Sequence, residues 1–90
     1  MNRAEILDTA KQYVTKDRNA THGNPENTFG LIAAYWSAHL YTDISAADVC
    51  VMMTLLKLAR LKSNHANEDN WIDGAGYLAC GGELATGENE

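Results

Sequence analysis

Lys57 and Arg60 stand three residues apart, one helical turn, in the stretch Ile44 to Arg60, ISAADVCVMMTLLKLAR. Two cations on an otherwise apolar helix call for an anionic partner, and the planar fork of an arginine suits bidentate contact with phosphate. Their plainer role is to lay aliphatic stems along the helix with the heads in water, paired to Asp69 or Asp73. A second group lies in the loop Arg18 to Glu26, RNATHGNPE, where Arg18, Thr21 and His22 sit in a polar setting just before a helix start. Unpaired backbone donors and the positive dipole end at a helix start suit an anion, so this loop is a candidate phosphate contact with Glu26 at its edge. The third group is Glu68-Asp69-Asn70-Trp71-x-Asp73. Asp69 and Asp73 are one turn apart, and like charges at that spacing repel mildly unless a cation lies between them. Mg²⁺ would serve, and so would Lys57 and Arg60. Trp36 and Trp71 fall on core stripes, with stacking on a nucleobase as their sharper use. No zinc-type ligand spacing, Ser/His/Asp elbow or phosphate-binding P-loop is present.

These groups need helices to hold them. Ser45 and Asp48 have the spacing of a capping box, flanked by Ile44 and Val49 as a hydrophobic staple. At about 100° per residue, Val49, Val51, Met52, Leu55, Leu56, Leu58 and Ala59 spread over half of the helix that follows. Cys50, Thr54, Lys57 and Arg60 form a narrow polar seam. Such a helix is expected at the centre of the fold, and its broad apolar face favours oligomerisation. Before it, Asn2 and Glu5 start a first helix over 3 to 16 on Ile6, Leu7, Ala10, Tyr13 and Val14. Residues 17 to 25 form a loop. Asn24-Pro25 opens a second helix whose core stripe is Phe29, Ile32, Ala33, Trp36 and Leu40, ending near Tyr41. A fourth begins around Asn67 to Asp69, carries Trp71, Ile72, Ala75, Leu78 and Ala79 inward, and ends or frays at Gly81-Gly82. Gly74 and Gly76 on it mark close helix contact or room for a ligand beside Asp73 and Tyr77.

The expected fold is all-α, an antiparallel four-helix bundle over residues 1 to 84 assembled as an oligomer, with 85 to 90 as a disordered tail. The chain has 7 Lys and Arg against 12 Asp and Glu, a net charge of −5. That excludes a general nucleic-acid binder, which needs a basic surface, but leaves room for a small anion in a local cationic pocket. Cys50 and Cys80 read as buried reduced thiols. No long apolar run or leader pattern appears, so the chain is expected in the cytoplasm, without a membrane partner.

The run Arg18-x-x-Thr21-His22-Gly23-x-x-Glu26-x-x-Phe29, then Ile32-Ala33-x-x-Trp36, then Asp48-Val49-x-x-Met52-Met53-x-Leu55-Leu56-Lys57-x-Ala59-Arg60, then Asp69-Asn70-Trp71-x-Asp73-x-Ala75-Gly76-Tyr77 resembles a family of small all-helical proteins encoded by bacteriophages and prophages. The resemblance covers about residues 17 to 83, and implies a phage origin and a helical fold without an activity. More distantly, Asp69 to Tyr77 is similar to the second acidic motif of the MazG-like all-α nucleoside-triphosphate pyrophosphohydrolases, which hold Mg²⁺ on paired acidic motifs. Asp73 matches that motif's final aspartate and Asn70 replaces its glutamate. Lys57-Leu58-Ala59-Arg60 occupies the place of the other acidic motif, which removes oxygen ligands that Mg²⁺ needs and supplies groups that bind phosphate directly.

Three functions follow as expectations. The first is a phage nucleotide-binding protein without a cofactor. It would sequester a phosphorylated host nucleotide, such as an immune signal, through Arg18, Thr21, His22, Glu26, Trp36, Lys57, Arg60, Asn70, Trp71 and Asp73. The second is a Mg²⁺-dependent pyrophosphohydrolase with Glu26, Asp69 and Asp73 as ligands. The third is a protein-docking module.

Overall fold

A computed structural model describes residues 1–17 and 25–87. Four α-helices run through them: α1, Arg3–Gln12; α2, Pro25–Leu40; α3, Ala46–Ser63; and α4, Glu68–Thr86. No strand occurs among the described residues. The first helix does not stay α-helical to residue 16 as expected. After Gln12 it winds into a π-helical turn, Tyr13–Asp17.

Caps fix three of the starts. Asn2 and Glu5 close one capping box, and Ser45 and Asp48 close another, so each pair satisfies two otherwise orphaned N–H groups. Asn67 caps α4 by accepting from the Asn70 N–H at 3.0 Å. The Met1 amino group lies 2.9 Å from the Glu68 carboxylate and ties the start of α1 to the start of α4. Helix α2 ends at Tyr41, which takes φ 54. The Thr42 N–H there reaches back to the Ser37 carbonyl at 3.2 Å, closing a Schellman-type turn with tyrosine where glycine is usual. The Ser37 hydroxyl accepts from the Ile44 N–H at 2.8 Å and donates to the Ile44 carbonyl at 3.2 Å, which fixes the approach to α3.

The Ser45–Asp48 box makes a first prediction. The Ser45 backbone N–H, then its hydroxyl, hold the Asp48 carboxyl below the usual 3.8. Its contribution to stability is therefore full above pH 3.8 and lost as pH falls through the lowered folded value. Ser45→Ala is expected to destabilise the protein by about 1 kcal/mol and lower Tm by about 4–8 °C at neutral pH. Thermal melts down a pH series check this, because the gap between the two proteins should narrow in acid.

The core joins Phe29 and Ala33 of α2, Val49 and Cys50 of α3, and Cys80 of α4. Ile44, Met53, Trp36 and Tyr77 pack around it, and the Phe29 and Tyr77 rings meet edge-on at 6.1 Å. Cys50 and Cys80 are buried and form no disulfide, as expected.

The central helix is turned the opposite way from the expectation. Cys50 and Thr54, assigned to the polar seam, are buried, whereas Val51, Leu55, Leu56 and Leu58 are exposed. The reason lies in α4. A β-carbon added at Gly81 would stand 2.9 Å from Cys50 Cβ, and one at Gly74 would stand 4.0 Å from Lys57 Cβ. A glycine-bearing face admits only a neighbour with small side chains, and Cys50 and Thr54 supply one. The Thr54 hydroxyl donates to the Cys50 carbonyl at 2.8 Å, so it can be buried without an orphaned polar group. Gly76 makes the matching contact with the π-helical turn after α1, where a β-carbon would lie 3.0 Å from Val14 Cγ1.

That close contact also explains why Gly81-Gly82 does not end the last helix. It continues to Thr86, with Gly87 at φ 70 as its cap, so residues 85 and 86 belong to the helix and not to a tail. Four inward assignments fail as well. Leu7, Tyr13, Leu40 and Leu78 are exposed. Trp71 and Ala79, also assigned inward, are exposed too, which makes six such failures.

The two adjacent glycines give a second prediction. Gly81→Ala overpacks the Cys50 contact, at about 1–3 kcal/mol, which outweighs a helix-propensity gain of about 1 kcal/mol. Nothing lies within 4 Å of a β-carbon at Gly82, so Gly82→Ala keeps only the gain. Differential scanning calorimetry should show Tm moving in opposite directions for the two variants.

Candidate functional site

Lys57 and Arg60 do not point separately into bulk water. Together with Ser63 they form one wall of an open cleft of about 450 Å³, and Asn67, Asp69, Asn70 and Asp73 of α4 and its cap form the other. The volume is within the range of small-ligand sites. Lys57, Arg60 and Ser63 follow one another at three-residue steps along α3, as do Asn67, Asn70 and Asp73 along the start of α4. Each set therefore occupies one helical flank.

The two cations are held differently. Lys57 is only 12% exposed and pairs with the Asp73 carboxylate at 3.0 Å, Asp73 being 33% exposed. Arg60 is exposed, and its guanidinium has no hydrogen-bond or ion-pair partner among the described residues. Asn70 is 8% exposed. Its backbone N–H is used by the Asn67 cap, but its side-chain amide has no partner among the described residues. A buried, unpaired carboxamide carries a penalty of about 1–3 kcal/mol, so it calls for a counterpart. A ligand entering the cleft would meet that amide, the Arg60 fork and the pre-positioned Lys57 ammonium together.

Five residues singled out in sequence thus meet in one place: Lys57, Arg60, Asp69, Asn70 and Asp73. Ser63 and Asn67 join them and were missed. Trp71 does not line the cleft; its indole N–H donates to the His65 carbonyl at 2.7 Å. Trp36 also lies outside the cleft, half-buried against the Phe29–Cys50 core. Arg18, Thr21, His22 and the side chain of Glu26 fall outside the described residues. Among the described residues, no group of three or more His, Cys, Asp or Glu side chains is drawn together as a metal site would require. No helix among them is long and apolar enough to cross a membrane.

Comparison with known proteins bears on the origin of this arrangement. The family model described as "Domain of unknown function (DUF6378)" matches residues 5–85, which reaches from α1 into α4. The chain belongs to the DUF6378 family. This DUF6378 chain is similar to the Gene 55 protein of Mycobacterium phage D29, at 37% identity over 75 residues, 83% of the chain and 50% of the relative. It is also similar to the Gene 55 protein of Mycobacterium phage L5, at 33% identity over 86 residues, 94% of the chain and 55% of the relative. The chain spans about half the length of these curated relatives. No solved structure matches it. The phage family anticipated from the motif run is therefore the one found, and the similarity to pyrophosphohydrolases gains no support from these relatives.

Proposed function

We propose that this DUF6378 chain binds a phosphorylated nucleotide in the cleft between α3 and α4. The observation that carries the reading is the buried Asn70 carboxamide, without a partner among the described residues, lining the same cleft as Arg60 and Lys57. Two cations suit phosphate, and an amide with both donor and acceptor suits a base or ribose edge. Asp73 keeps Lys57 oriented in the absence of ligand. Arg18, Thr21 and His22 lie outside the described residues and are kept as candidate phosphate contacts from sequence alone, because a helix start suits an anion.

The helices act as an antiparallel bundle assembled into an oligomer, in the cytoplasm of the host. In a phage protein the use of such a site is sequestration: a host nucleotide, including an immune signal, is held away from its receptor. Direct phosphate binding is preferred to Mg²⁺-dependent hydrolysis of the MazG-like kind because an Asp73 oxygen is already engaged by Lys57.

Isothermal titration calorimetry of the full chain against a panel of mono-, di-, tri- and cyclic nucleotides, with Mg²⁺ and with EDTA, tests the reading. Binding that persists in EDTA, weakens with salt and is reduced in Arg60→Ala supports it. Binding that requires Mg²⁺ and releases pyrophosphate favours hydrolysis instead, and no heat from any nucleotide overturns both.

A further inference from the structure

The outward face of α3 carries a pattern that the nucleotide cleft does not use. Asp48, Val51, Leu55, Leu58 and Lys62 succeed one another at steps of three, four, three and four residues, which is the spacing of a coiled-coil seam. All five are exposed, with Val51 at 52%, Leu55 at 57% and Leu58 at 53%. Ala59 and Met52 flank the stripe, so nothing charged interrupts it between its two ends.

We propose that a second copy of this chain covers the stripe, the two α3 helices packing antiparallel. The charges decide the direction. A parallel pair would stack Asp48 on Asp48 and Lys62 on Lys62. An antiparallel pair brings the Lys62 end of each helix to the Asp48 end of the other and opposes the two helix dipoles. Facing positions of an antiparallel seam interlock with Leu55 of each chain beside Leu58 of the partner subunit. Val51 then lies along the aliphatic stem of Lys62 of the partner subunit, whose ammonium is in reach of Asp48 across the interface. Exposed ion pairs contribute little energy, so the leucines hold the dimer and the charges set its register. This takes up the oligomer of the proposed function and does not rest on nucleotide binding.

Light scattering on the 90-residue chain should give twice 9.8 kDa, falling to one chain in Leu55→Lys with helical circular dichroism retained. Register is read by cysteine cross-linking under mild oxidation, with the wild type as the control for its two buried thiols. Val51→Cys and Lys62→Cys, refolded together, should form a mixed disulfide. Neither should cross-link to itself, because like positions are then about 16 Å apart along the helix axis. A wild-type mass of one chain overturns the proposal, as does a Leu55→Lys protein that stays dimeric. Self-cross-linking of each single variant would overturn the antiparallel direction. Nucleotide titration of Leu55→Lys keeps the two readings apart: a monomer that still binds leaves the cleft standing on its own evidence.

Discussion

Lys57→Ala is expected to weaken nucleotide binding by about 100-fold or more, and Arg60→Ala by about 10- to 100-fold. A hydrogen bond to a charged group contributes about 1.5–3 kcal/mol, and about 1.4 kcal/mol is tenfold in affinity. Arg60 is exposed and unpaired among the described residues, so its removal takes away that contribution and little else. Removing Lys57 does more, because it also leaves the Asp73 carboxylate uncompensated beside the incoming phosphate. The two variants should differ in stability as well. Breaking a pair that is neither fully buried nor fully solvated costs about 1–2 kcal/mol, between the values for buried and surface pairs. Calorimetric titration with parallel urea melts checks both effects. Equal affinities for wild type and both variants would show that phosphate, if bound at all, is bound elsewhere.

Phe29→Ala is expected to destabilise the protein by about 3–5 kcal/mol. Phe29 is 1% exposed, the largest of the fully buried side chains, and it anchors α2 against both α3 and α4. Truncation removes its transfer free energy, leaves a cavity and discards the edge-on contact with Tyr77. A 90-residue chain has about 5–13 kcal/mol in total, so the variant should be close to unfolded at physiological temperature. The urea midpoint measures this. A shift worth less than about 1 kcal/mol would mean that α2 does not depend on this wedge. Phe29→Leu, which refills most of the space, should recover the larger part of the loss.

Helix starts were legible because N-caps are local chemistry, whereas the ends of α1 and α4 were not. Asn2 with Glu5, Ser45 with Asp48, and Asn67 satisfy backbone groups within three residues, so neighbouring sequence contains the whole interaction. The direction faced by α3 was not legible from its own residues. Apolar side chains on Val51, Leu55 and Leu58 identify a greasy side, but burial followed the side that could approach the glycines of α4. The informative signal lay on the other helix: Gly74 and Gly81 are seven residues apart, as are Cys50 and Lys57. Matching those two intervals would have turned α3 correctly and placed Lys57 at the cleft. Ser63 and Asn67 were missed for a simpler reason. Each is one three-residue step beyond a residue already chosen, Arg60 or Asn70, and the stripes were not extended to the helix ends. Trp36 packs against the core, the default reading of its stripe position, whereas Trp71 is exposed, and neither lines the cleft, because an aromatic ring at a stripe position does not reveal which cavity it borders.

Tyr41 has a consequence of its own. Holding an L-residue in the left-handed region takes about 1–2 kcal/mol that glycine would avoid, and the ring recovers almost nothing, being 96% exposed. Against a total of only several kcal/mol, that is a sizeable reserve left unused at one solvent-facing corner. The molecule is thus short of its own thermal ceiling, and the α2–α3 corner is where a more heat-tolerant version of it could be made by a single replacement.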